Sequence, residues 1–192
     1  MIVYDITQES TTCQSYPGVE PAQRIMTQRI ADGEPCNVSK IIQMAHNGTH
    51  CDAPLHFIEG GKAIDEVPVD VFVGECVLVE RKGLITAECA KEDIALGSKR
   101  VIYKGDVEMT EEGAKVFASS DILLIGNESS TFGPVSAPAA VHRILLGAEI
   151  CLLEGIRTPQ VPAGRYIISA APISYKGSDG CPCRAVLIDV NN

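Results

Sequence analysis

The sequence predicts an α/β fold with a mixed sheet, built as one domain over residues 1–192. Three observations carry this expectation. Short β-prone runs alternate with helical patterns, which is the order expected of strands and helices packed in layers. A length of 192 residues, 45% of them hydrophobic and 21% charged, suits one sizeable core. Neither an internal repeat nor a low-complexity linker interrupts the pattern.

The elements follow in order. Residues 2–6 are β-prone, and Tyr16-Pro17-Gly18 marks a turn. Residues 38–45 are β-rich and feed into His46-Asn47-Gly48-Thr49-His50-Cys51-Asp52-Ala53-Pro54-Leu55-His56. Residues 57–70 read as loop and 75–81 as a strand. A helix over 86–96 has Thr86 as its N-cap, Glu88 in its first turn and Gly97 as its stop. Residues 101–103 form the next strand, Thr110-Glu111-Glu112 starts a second helix, and residues 122–125 make a fully apolar, buried strand. The polar loop 127–134 is a candidate wall for a site. Ser136 is placed to cap a third helix, with Pro138 in its first turn, His142 along it and Gly147 at its end. The strand 149–154 ends on Glu154, a carboxylate that needs a partner if buried. Strands near 166–170 and 184–190 lie either side of a Gly/Pro/Ser-rich connection.

Charge and composition narrow the function classes. A formal charge of −9 speaks against nucleic-acid or anionic-membrane partners, which need a basic surface. No apolar run approaches the ~20 residues of a membrane span. The first ten residues lack a basic leader, so the expected location is the cytoplasm. There the eight cysteines are expected to be reduced thiols. Cys181-Pro-Cys183 offers two soft ligands without the second pair of a structural zinc site.

The chemistry concentrates at 46–56, which holds three of the four histidines and an aspartate. A helix through this window is disfavoured by Gly48, Thr49 and Pro54. In an extended segment His46, Gly48, His50 and Asp52 share a face, a row of metal ligands whose gap at Gly48 admits a metal or substrate to the backbone. Cys51 points the other way. His56 follows a turn at Ala53-Pro54 and is either a ligand or a proton-transfer group. Imidazole and carboxylate ligands suit zinc or manganese, and three of them leave a position open for water.

The run HNGTHCDAPLHF resembles the signature of the metal-dependent cyclase family, H-x-G-T-H-x-D-x-P-x-H-F, which includes bacterial kynurenine formamidases and isatin hydrolases. The resemblance extends to Tyr4-Asp5-Ile6, to Tyr16-Pro17-Gly18, and to His142 with Glu154 twelve residues later. It implies a swivelling β/β/α fold and a homo-oligomer, a dimer or tetramer. His46, His50 and Asp52 would be metal ligands, His142 and Glu154 would complete a site for one or two ions, and His56 would be the catalytic acid/base. Many relatives have Trp-Pro-Gly where this chain has Tyr16-Pro17-Gly18, which makes Tyr16 a substrate-contacting candidate together with Phe57. The implied reaction is hydrolysis of a small-molecule formamide, as in the conversion of N-formylkynurenine to kynurenine and formate during tryptophan catabolism. Alternatives are hydrolysis of an isatin-like cyclic amide, lyase or cyclase chemistry on the same metal, and metal or ligand binding without turnover.

Overall fold

The structure, a computed structural model, describes residues 1–13 and 16–190. In chain order the strands are β1 (Ile2–Asp5), β2 (Gln23–Gln28), β3 (Val38–Ile42), β4 (His50–Asp52), β5 (Val73–Glu80), β6 (Gly83–Ile85), β7 (Arg100–Lys104), β8 (Val107–Met109), β9 (Leu124–Gly126), β10 (Cys151–Glu154), β11 (Gly164–Ser169), β12 (Gly180–Pro182) and β13 (Val186–Asp189). The helices are α1 (Ala87–Ile94), α2 (Glu111–Ala118) and α3 (Ala139–Gly147).

Nine strands form one mixed sheet in the order β1-β13-β11-β5-β7-β9-β10-β4-β12. Its middle, from β5 to β10, is parallel. Parallel neighbours need crossover connections, and α1, α2 and α3 supply the three steps. The flanking strands pair antiparallel, which places β4 between β10 and β12.

Strand alternation explains why the central runs are apolar at nearly every position. Val77, Val101, Ile125 and Leu152 enter the core under the helices, alongside Phe117, Val141 and Leu145. Their neighbours Leu78, Ile102, Leu124 and Leu153 face a second core on the other side. That second core draws Cys51 and Cys181 from one edge of the sheet and Leu187 from the other, so the sheet curls and both ends close on it.

The first two helices start as their sequences require. Thr86 Oγ1 accepts from the Cys89 N–H at 3.4 Å, and Thr110 Oγ1 accepts from Gly113 at 3.1 Å. Caps of this kind contribute about 1 kcal/mol each. The third helix corrects the expectation for Ser136. Val135 and Ser136 form the middle of a turn closed by Ala137 N–H to the Pro134 carbonyl, which leaves Ser136 two residues ahead of the N-cap position. Pro138 is the N-cap, without a side-chain cap.

Other departures have local causes. The β-rich run at 38–45 stops at Ile42 and pairs with β2 in a separate hairpin that leaves Ile25, Val38, Ile41 and Ile42 exposed. The strand expected from residue 122 begins at Leu124, because the Leu123 N–H bonds the Lys99 carbonyl at 2.8 Å. Strand β12 lies inside the Gly/Pro/Ser-rich connection; three residues, one of them proline, are too few to show alternation. The short parallel ribbon of β6 and β8 was hidden for the same reason.

Candidate metal centre

The site is built around β4. Its alternation places His50 and Asp52 on one face, and the antiparallel register sets Glu154 of β10 directly opposite His50. His142 comes from α3, over the same face. All four side chains are buried.

His46 arrives by a different route from the expected extended row. The chain turns at 45–46 and bends through 47–49, with Gly48 at φ 68°. A Cβ at Gly48 would lie 2.8 Å from Ser10 Cβ, so the group that approaches the glycine is the N-terminal segment and not a metal or substrate. Thr49 locks the bend, accepting from the Gln8 N–H at 2.7 Å and donating to the Gly155 carbonyl at 2.7 Å. The turn nevertheless returns His46 to the cluster, with Nδ1 2.8 Å from Asp52 Oδ1.

Hydrogen bonding fixes which nitrogen each histidine presents. A carbonyl only accepts, so the Nδ1 atoms of His50 and His142 donate to the Gly48 and Pro138 carbonyls, each at 2.9 Å. Both Nε2 atoms are thereby directed at carboxylates. His50 Nε2 lies 3.3 Å from Asp52 Oδ1 and 3.6 Å from Glu154 Oε2. His142 Nε2 lies 3.2 Å from Glu154 Oε1 and 3.8 Å from Asp52 Oδ2. His46 is reversed, with Nδ1 inward and Nε2 2.9 Å from Asp179 Oδ2. His56 stacks on His46 at a centroid distance of 3.9 Å, and its Nδ1 meets the same Asp179 oxygen at 3.1 Å.

The electrostatics follow from these contacts. Burial pushes the His46 imidazole down, but hydrogen bonds to Asp179 and Asp52 outweigh it and lift its pKa to about 10. His50 and His142 are also raised: against burial, His50 gains from Asp52 and His142 from Glu154. For Asp52, burial acts upward, yet hydrogen bonds to His46 and His50 hold it well below the usual carboxylate range. The hydrogen bonds from His46 and then His56 likewise hold Asp179 far below that range.

The donor set fits a cation. Two trios of donor atoms share Asp52: His46, Asp52 and His56, and His50, Asp52 and Glu154, with the atoms of each trio within 4.8 Å of one another. Among the described residues, the ion-pair partners of Asp52 and Glu154 are imidazoles only. Asp52 Oδ2 is buried with no hydrogen-bond partner at all. An orphaned carboxylate oxygen between imidazoles is costly unless a cation meets it.

The cluster forms one wall of a cavity of about 250 Å³. Tyr16, Val19, Phe57 and Pro138 supply apolar surface, and Ser130 and Thr131 come from the loop expected to be a site wall. Tyr16 Oη donates to the Val135 carbonyl at 2.8 Å. Phe57 both lines the cavity and packs on the core under the helices, with its ring 4.5 Å from His56 and 4.7 Å from His142. Arg157, Arg165 and Arg184 are engaged outside the cavity, with backbone carbonyls or with Asp5.

All six predicted metal and proton-transfer residues thus converge in space. Asp179 was missed. Its only signal is an acid flanked by glycines in Gly177-Ser178-Asp179-Gly180, which reads as an ordinary turn. Cys51 faces the opposite core, as alternation required, with Sγ 3.4 Å from the Ala170 carbonyl and 3.9 Å from Cys183 Sγ. All eight cysteines are free.

Comparison with known proteins points the same way. A kynurenine formamidase from Erythrobacter litoralis is 30% identical over 84% of this chain and 81% of its own. A kynurenine formamidase from Salinibacter ruber is 29% identical over 98% of both chains. A solved structure described as a potential metal-dependent hydrolase with cyclase activity superposes with a TM-score of 0.79, at 28% identity, over 97% of this chain and 96% of that one. The family model described as "Putative cyclase" matches residues 4–151, and the chain belongs to the cyclase family.

Proposed function

We propose that this chain is a metal-dependent hydrolase of a non-peptide C–N bond, with an aryl formamide such as N-formylkynurenine as substrate and formate as one product. The observation that carries the reading is the buried pair Asp52 and Glu154, faced among the described residues only by imidazoles, with Asp52 Oδ2 left without a hydrogen bond beside an apolar cavity. The kynurenine formamidase names of the relatives at 29–30% identity support the substrate class.

In this reading His46, His50, Asp52, His142 and Glu154 would hold one or two divalent cations, zinc or manganese. A cation bound there supplies Lewis acidity, polarising the scissile carbonyl and making water more acidic. The chain's own residues do the rest. The Nδ1–H groups of His50 and His142, tied to backbone carbonyls, keep those rings from turning. Tyr16, Val19, Phe57 and Pro138 exclude bulk water and give an aryl ring flat apolar surface. His56, at the cavity wall with Nδ1 engaged by Asp179, has Nε2 left to take a proton from the attacking water and deliver it to the leaving nitrogen. The exposed Ile25, Val38 and Ile42 on one face of the β2–β3 hairpin support assembly into a homo-oligomer.

The test is a substrate panel with purified, metal-loaded protein. Release of formate from N-formylkynurenine is the expected result, and His56→Ala should lower kcat by about 10²–10⁴ while metal content stays unchanged. Turnover confined to cyclic amides would move the substrate to isatin-like rings. No turnover of any amide by a protein that binds metal would overturn the hydrolase reading.

A further inference from the structure

We propose that Asp179 is a positioning residue that sets the two histidines of unlike role, His46 and His56, through one carboxylate oxygen. The inference rests on the hydrolase reading above and assigns a part of that site which lies outside the signature run.

The geometry is specific. Asp179 Oδ2 lies 2.9 Å from His46 Nε2 and 3.1 Å from His56 Nδ1. A carboxylate oxygen only accepts, so both nitrogens carry their hydrogens toward it. The consequence differs for the two rings. His46 is held with Nδ1 facing Asp52, which makes it a carboxylate–histidine pair with its second nitrogen aimed at the candidate metal position. His56 is held with Nε2 on the far side of the ring from Asp179, free for proton transfer. His50 and His142 obtain the same control from backbone carbonyls; among the described residues His46 and His56 have no such carbonyl partner and use Asp179 instead.

The carboxylate is not needed to shape its own loop. That loop is held by Ala53 N–H to the Asp179 carbonyl at 2.9 Å, Ile64 N–H to the Ser178 carbonyl at 2.8 Å, Gly177 N–H to Asp65 Oδ1 at 2.8 Å and Ser178 Oγ to the Gly180 carbonyl at 2.7 Å. These bonds tie Asp179 to Ala53, the residue that follows the ligand Asp52. The next residue completes the fit: a Cβ at Gly180 would lie 2.6 Å from Cε1 of His46, so the glycine lets the ring lie against the backbone. Backbone bonds thus fix where Asp179 stands, and its side chain is left to orient the rings.

The test compares wild type with Asp179→Ala and Asp179→Asn, after circular dichroism has shown each to be folded. Zinc affinity is read on metal-free protein by competition with a chelating dye, and kcat and KM are read at saturating zinc. Asp179→Ala should weaken zinc binding by about 10–100-fold, the usual effect of losing an outer carboxylate, and should lower kcat with little change in KM. Asp179→Asn retains an accepting oxygen without the charge, so it should recover most of the zinc affinity and part of kcat. Should the alanine variant not fold, the asparagine variant carries the test with a smaller drop, about 3–10-fold, in zinc affinity. Wild-type zinc affinity and wild-type kcat in a folded variant would overturn the role of Asp179. A wild-type protein that binds neither zinc nor manganese would instead overturn the hydrolase reading, so the two failures are distinguishable.

Discussion

Asp52 and Asp93 are buried to the same degree, each 1% exposed, yet the protein treats them in opposite ways. Asp93 of α1 meets the Arg81 guanidinium, with Nε 3.0 Å from both carboxylate oxygens, and accepts a hydrogen bond from Tyr103 Oη at 2.8 Å. Its charge is neutralised by a group that cannot lose its proton and has no lone pair to offer. Asp52 meets imidazoles, which can surrender a proton and then bind a cation, and one of its oxygens accepts no hydrogen bond. The first cluster is closed and ties α1 to the sheet. The second is completed only from outside. Burial of an acid therefore says little about function; the kind of counter-charge says much.

Exchanging each aspartate for alanine should separate the two. Asp52→Ala should give the largest effect, a fall in hydrolysis on the order of 10³-fold or more, as for loss of a group acting in the transition state. Elemental analysis should show the metal gone from a protein that still folds. Asp93→Ala should instead cost about 1–3 kcal/mol in denaturant unfolding, because the buried Tyr103 hydroxyl loses its acceptor while the half-buried Arg81 is left with Glu92. Metal content and rate per folded molecule should stay at wild type. Metal loss in Asp93→Ala, or retained metal in Asp52→Ala, would erase the distinction.

The clusters should also differ in their response to pH. His46 has its folded pKa raised from 6.5 to about 10, and the raised pKa values of His50 and His142 act in the same direction. A raised pKa contributes stability that is fully present below the unfolded value and is lost as pH climbs through the folded one. For metal-free protein, each imidazole that stays protonated should therefore remove about 1.4 kcal/mol per pH unit above pH 6.5. Arg81 contributes no slope there, since a guanidinium does not titrate. Unfolding of metal-free protein between pH 6.5 and 8.5 tests this, and a flat profile would contradict it. Metal-loaded protein should lack the decline, because ligand protons have already been displaced.

How much of this was legible in the sequence depended on whether local pattern or long-range pairing decided the outcome. Helices α1 and α2 and the central strands were readable, because caps at Thr86 and Thr110 and runs such as 122–125 act through neighbours in sequence. The clustering of the candidate residues was readable for a related reason: His50 and Asp52 obey strand alternation, and His142 lies beside Glu154 as the family resemblance implied. The path of His46 was not readable, since the bend at Gly48 packs against Ser10, 38 residues earlier, and is held by the bonds of Thr49 to Gln8 and Gly155. Asp179 was invisible for the same reason. Its partners are 133 and 123 residues away, and only the pairing of β12 with β4 brings it beside them.

Cys51 gives the smallest effect and the sharpest test of that alternation. It stands between His50 and Asp52, one position from two candidate ligands, and thiolate is a good ligand for zinc. The register of β4 against β10 and β12 sends its side chain to the opposite core, among Leu153 and Cys181. Burial holds the thiol well above its ordinary pKa, and Cys183 Sγ adds to this, so the thiolate that a metal would need is disfavoured. Cys51→Ala removes one buried heavy atom and should cost roughly 1 kcal/mol, near the loss from deleting one buried methylene. Metal content and kcat should be unchanged. A changed metal stoichiometry would mean that the two faces of β4 are not independent, and the contrast between Asp52 and its neighbour would then have to be explained by something other than the direction of their side chains.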